Sequence, residues 1–166
     1  MQWLQGGDGS RITWLIENME HSRFNDQNYR LSDFQDEVWV ACPSCQRKAI
    51  ARNYPEQQTA RLLCTSCGLS RSCPTTETVA GVTTSVRQAA HSYFGAALWL
   101  QHPFKNEVFW AYNAKHIAYL EQYISARLRQ HSNRSHFTLL EKLPKFYHAA
   151  GNREDLMKII QRLKDN

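Results

Sequence analysis

Nowhere in these 166 residues do apolar side chains run on for the roughly 18 to 20 positions that a bilayer-spanning helix requires. The opening stretch, Met1 to Arg11, lacks the basic region and following apolar run of a secretory signal. The expectation is a cytoplasmic protein with no membrane partner. Catalytic signatures are missing as well. The chain has no glycine-rich loop followed by Lys-Ser or Lys-Thr, no His-Glu-x-x-His, no Gly-x-Ser-x-Gly, and no compact carboxylate set suited to magnesium. Six of the seven histidines lie between His91 and His148, but no two of them pair convincingly on one helix face. His116 reads as a packing or capping residue and Glu121 as half of an internal ion pair. The chain is expected not to be an enzyme.

What is present can fold. Hydrophobic residues make up 42% of the chain, enough to bury a core for one ordinary domain or for two small units that share one. The formal charge is +5, which a zinc ion bound by four thiolates would lower to +3. This charge is unevenly spread. Residues 1–38 carry 3 Lys/Arg against 7 Asp/Glu, residues 39–78 carry 5 against 2, and residues 79–166 carry 12 against 6. Acidic and basic segments of this kind can neutralise each other within one molecule or between two.

The five cysteines dominate the chemistry. Cys42 and Cys45 form one Cys-x-x-Cys pair, Cys64 and Cys67 form a second, and 18 residues separate the pairs. In a reducing compartment such thiols stay free or bind metal, and an odd number does not suit a disulfide framework. A two-residue gap turns both sulfurs to one side, and Pro43 and Gly68 suit the turns required. The spacing matches a four-cysteine zinc ribbon. A redox Cys-x-x-Cys normally opens a helix in a βαβ setting, which is absent here, and iron–sulfur cysteines are spaced differently. A structural Zn²⁺ is therefore expected on Cys42, Cys45, Cys64 and Cys67. Cys73 is open to three readings: a substitute for Cys67, a buried small hydrophobe, or a reactive thiol.

The remaining pattern predicts an α+β fold: a four-cysteine zinc ribbon, an aromatic β-hairpin, a C-terminal helical part and an N-terminal helix. Residues 1–37 form an acidic helix, capped by Ser10 and apolar at Ile12, Leu15, Ile16 and Met19, followed by a connecting loop from His21 to Glu37. Residues 38–75 form the ribbon, with strands over "VWVAC", "KAIARNY" and "TARLLC" and a reversal at "PEQQ". Residues 76–90 read as a linker or a poorly anchored edge strand. Residues 91–166 hold a hairpin from Ala97 to Tyr112 turning at "HPFKN", and a helix that Asn113 caps and that ends near His131. Its apolar stripe is Ile117, Leu120, Ile124 and Leu128. A short helix follows, broken at Pro144 and stopped by Gly151, and Asn152 then caps a last helix buried through Leu156, Ile159, Ile160 and Leu163.

Two surfaces suggest binding. One is cationic, with Arg47, Lys48, Arg52, Arg61 and Arg71 on the ribbon and Arg127, Arg129, Arg134, Lys142 and Lys145 later. The other is aromatic: Trp99, Phe109, Trp110, Tyr112, Tyr119 and Tyr123. Most of these rings must be core, but any left outside beside Arg127 or Arg129 would anchor a protein partner. The ribbon resembles those of transcription factor IIB and of replication-restart helicases, a likeness that implies zinc and little else. The run from Trp110 to Asn113, followed by His116, Leu120 and Glu121, resembles a family of small bacterial zinc-ribbon proteins with no settled activity. In size and make-up, with an added acidic helix, the chain is also similar to immunity proteins that neutralise bacterial toxins, nuclease toxins included. That likeness implies a protein partner, a cognate toxin, and the aromatic and arginine pattern puts its contact at Trp99, Trp110, Tyr112, Arg127 and Arg129. The alternative is a nucleic-acid-binding regulator that uses the basic ribbon.

Overall fold

The structure, a computed structural model, describes residues 23–126, 128–130 and 138–165. The expected N-terminal helix at Ser10 to Met19, and Arg127 and Arg134, lie outside the described residues.

The fold is mixed α+β with antiparallel sheets. Strand β1 is Arg23–Asn25. Strands β2 (Glu37–Ala41), β3 (Lys48–Tyr54), β4 (Thr59–Leu63) and β5 (Ser70–Pro74) form one antiparallel meander in chain order. The first three match the period-two pattern. Val38, Val40, Ala49, Ala51, Ala60 and Leu62 point to one face and are at most 2% exposed. Each buried Val or Leu contributes about 1.5–3 kcal/mol to that face. Strand β5 is an addition to the expected three. Its residues are polar and almost all exposed, so no alternation marks it, and it is held by backbone pairing to β4.

The expected linker at 76–90 holds an exposed hairpin, β6 (Thr76–Val79) and β7 (Val82–Ser85). Ala80 and Gly81 turn it at φ 50° and 80°, both in the left-handed region that a tight hairpin turn demands. The aromatic hairpin is β8 (Leu100–Phe104) and β9 (Glu107–Ala111), and its turn is only Lys105–Asn106, so Pro103 and Phe104 belong to β8. Three backbone bonds weld it to the β2–β5 sheet. Trp39 N–H donates to the Tyr112 carbonyl (2.7 Å), Ala41 N–H to Ala97 (2.9 Å) and Trp99 N–H to Trp39 (2.9 Å). The free edge of β2 is thereby covered.

Helix α1 is Ala114–Ser125, capped by the Asn113 side chain as expected. It stops six residues before His131. Ala126 turns extended (ψ 133°), and the Arg153 guanidinium donates to the Ile124 and Ala126 carbonyls at 3.0 and 3.2 Å, satisfying the helix C-terminus. Leu128 therefore sits in strand β10 (Leu128–Gln130), parallel to β1, rather than on the helical stripe. The segment read as a loop is a structural part of the core. Phe24 and Phe34 are buried, and Phe24 meets Tyr119 and Tyr123 edge-on at 5.5 and 5.4 Å. Helices α2 (Lys145–His148) and α3 (Arg153–Asp165) close the chain, and α3 buries the four apolar positions expected of it. Asn152 serves differently. Its side chain accepts from Lys105 Nζ (2.7 Å) and donates to the Phe146 carbonyl (3.1 Å), tying the β8–β9 turn to the C-terminal helices.

Candidate metal centre

In an antiparallel meander the first and third turns lie at the same end of the sheet. The β2–β3 turn carries Cys42 and Cys45, the β4–β5 turn carries Cys64 and Cys67, and so the two pairs meet. The two turns use the same backbone bonds. Cys42 N–H donates to Arg47 (2.8 Å) and Gln46 N–H to Cys42 (2.9 Å); Cys64 N–H donates to Leu69 (2.9 Å) and Gly68 N–H to Cys64 (3.0 Å). Both turns need a left-handed residue just after the second cysteine. Gly68 takes it at φ 75° without penalty and Gln46 takes it at φ 61° with one.

The sulfurs of Cys42 and Cys67 are 3.7 Å apart and those of Cys45 and Cys64 are 3.6 Å apart, and all four lie within 4.8 Å of one another. A tetrahedral ion at about 2.3 Å from each thiolate sets its ligands about 3.8 Å apart, whereas a disulfide needs about 2.05 Å. The four cysteines fit a metal ion and are unpaired as disulfides. Cys73 stands apart from this group, on β5 opposite Ala60.

The bare thiols do not titrate alike. Burial opposes ionisation of Cys64, but the N–H groups of Cys67 and Ser66 and the neighbouring thiols override it and bring Cys64 down to about 6. At Cys45 the Arg47 N–H pulls downward, yet burial and the other three cysteines push the thiol up to about 12. Four adjacent thiolates cannot all form without a cation, so a divalent ion and protons compete for the site.

Of the other expected binding residues, Trp99, Trp110 and Tyr112 pack against one core. Tyr112 is buried, between His91 and His116 and 5.0 Å from Trp110. Trp99 and Trp110 are half-buried against the same core. Packing consumes Tyr112 and part of Trp99 and Trp110, because the hairpin lies on β2 and α1 instead of projecting. Arg129 is placed on β10 by its backbone. Glu121 is paired with Lys164 on α3 at 2.9 Å, as an ion-pair reading expects. His116 is 1% exposed, accepts from the Tyr112 N–H through Nδ1 (3.2 Å), and stacks on Phe34 at 4.7 Å. Burial lowers its pKa to about 4, so it is a neutral core residue. An open cleft of about 410 Å³, lined by Asp33, Asp36, Glu37, Trp39 and Lys115 among others, lies where β2 begins. Asp36 pairs with Arg87 and Glu37 with Arg52. No helix among the described residues is long and apolar enough to cross a membrane.

Compared with protein-family models, curated proteins and solved structures, the chain matches none.

Proposed function

We propose that the chain is a non-catalytic zinc-ribbon protein in which Zn²⁺ on Cys42, Cys45, Cys64 and Cys67 fixes the ribbon and the molecule acts by binding a macromolecular partner. The closed ligand set carries this reading. Four protein thiolates complete a tetrahedron and leave no position for water or substrate, whereas a catalytic zinc keeps one open. Such a centre supplies folding free energy, on the order of 10–16 kcal/mol in small zinc peptides, to a ribbon whose own buried face is small.

Protein purified under reducing conditions is expected to hold one zinc per chain. Replacing any one of the four ligands by serine removes the ion, and Cys73→Ser retains it. Chelation is expected to unfold the β2–β5 sheet. Metal-free protein that keeps its ribbon would overturn the reading.

A protein partner, such as the toxin an immunity protein neutralises, is a second reading, favoured by the cleft beside β2. Its three carboxylates, Asp33, Asp36 and Glu37, suit a basic side chain from a partner, which would displace Arg87 and Arg52 from their present pairs.

A further inference from the structure

The β2–β5 sheet has a second face that the core touches only at the half-buried Trp39. Along β2, β3 and β4 it presents Trp39, Lys48, Arg52, Tyr54, Arg61 and Leu63, and none of these is buried. Most half-open antiparallel sheets dress such a face with mixed polar residues. This one places aromatic rings and cations together. Lys48 Nζ lies 3.2 Å from the centre of the Trp39 ring, and the Arg61 guanidinium lies 5.0 Å from that of Tyr54. Leu63, opposite Ile50, is 52% exposed.

A second observation points to an anionic ligand. The register sets Arg52 directly opposite Arg61, a like-charge cross-strand pair that costs stability. Glu37 answers Arg52, while among the described residues Arg61 meets no carboxylate, only the neutral Gln57 amide oxygen at 2.9 Å and the Tyr54 ring. A sheet selected for stability alone would put an acid opposite one of them. An unfavourable local choice kept on an open face is the mark of a site that something else completes.

Resting on the reading of the chain as a non-catalytic zinc-ribbon binding module, we propose that this face binds single-stranded nucleic acid, with bases on the Trp39 and Tyr54 rings and phosphates on Lys48, Arg52 and Arg61. Each ring already carries a cation over its face, so on binding the ammonium or guanidinium swings to a phosphate and uncovers the π-surface for a base. From Ile50, opposite Trp39, to Tyr54 is four strand residues, about 13 Å, so the two platforms serve separate bases along one strand. A duplex, with its bases stacked inside, cannot use such platforms. With only two or three phosphates neutralised, stacking supplies much of the affinity, and the salt slope is shallow.

The test uses the zinc-loaded full chain and the fluorescence anisotropy of labelled poly-dT or poly-U of about 20 nucleotides, longer than the footprint of one small domain. Binding is expected with a log–log salt slope of about −1.4 to −2.1, a fall of about 7- to 18-fold between about 50 and 200 mM salt. Tyr54→Ala is expected to weaken binding about 5- to 150-fold, and Tyr54→Phe to restore it. Arg61→Ala is expected to flatten the slope by about 0.7. Arg71→Ala, an exposed ribbon arginine on the opposite face, leaves affinity unchanged. Equal losses from Arg61→Ala and Arg71→Ala would overturn the proposal, since any basic surface would then serve. Zinc-loaded, folded protein that binds no strand at low salt would overturn it too, leaving the face to a protein partner and the module reading intact. Absence of bound zinc would instead sink the module reading itself.

Discussion

Replacing Asn113 tests how the ribbon, the N-terminal segment and the first helix are joined. Its Oδ1 accepts the His116 N–H at 3.0 Å and caps α1, while its Nδ2 donates to the carbonyls of Phe34 (2.9 Å) and Glu37 (2.6 Å), 79 and 76 residues away. The residue is 9% exposed, so water cannot replace what the side chain provides. Loss of a cap costs about 1 kcal/mol. Each carbonyl stripped of a buried donor costs about 1 kcal/mol at the low end of the range. Asn113→Ala should therefore destabilise the fold by about 3 kcal/mol, and Asn113→Ser, which keeps a capping oxygen but reaches neither carbonyl, by about 2 kcal/mol. For a chain of this size about 3 kcal/mol lowers the melting temperature by roughly 6–12 °C. Thermal and urea unfolding of the zinc-loaded protein, followed by far-ultraviolet circular dichroism, measures both variants. If serine and alanine are equally costly, the cap contributes nothing. If both cost less than 1 kcal/mol, the two long-range bonds do not hold the ribbon to the helix, and the reasoning fails.

The two cysteine turns predict opposite responses at matching positions. Gln46→Gly removes left-handed strain and should raise stability by about 0.5–1 kcal/mol, while Gly68→Ala, whose added Cβ would meet nothing within 4 Å, should cost about 1 kcal/mol from backbone strain alone. Zinc-loaded thermal unfolding reads both, and a stabilising Gly68→Ala would refute the turn geometry. Acid should destabilise the protein through His116. Its folded pKa of about 4 lies below the ordinary 6.5, so the unfolded chain binds the extra proton between those values. The stabilisation from keeping it neutral is complete above pH 6.5 and is lost as pH falls towards 4, a change of about 3 kcal/mol. Urea titrations at several pH values on His116→Gln, which cannot titrate, should show that part of the slope removed. Metal release also grows as pH falls, because protons compete for the thiolates, and zinc analysis of the same samples separates the two effects.

The cysteine cluster was legible because its signal is local: two residues between cysteines and a turn at each pair suffice to bring the sulfurs to one side. The first three ribbon strands and the buried positions of α3 were legible for the same reason, since a period of two or 3.6 reports which face of an element is apolar. Strand β5 escaped this logic. Its Ser70, Arg71 and Ser72 carry no apolar alternation, and only pairing with β4 makes them a strand. The segment from His21 to Glu37 looked polar, yet Phe24, Asp26 and Phe34 are buried because α1 brings Tyr119 and Tyr123 against it; the Tyr119 hydroxyl donates to Asp26 at 2.7 Å across 93 residues. Sequence by itself thus brought out the four cysteines that cluster and the type of most elements, which depend on neighbours a few residues apart. Tertiary structure decided where α1 ends, which aromatic rings are consumed by the core, and which sheet face stays open, because burial is set by contacts between residues far apart in the chain, and no spacing rule reports those.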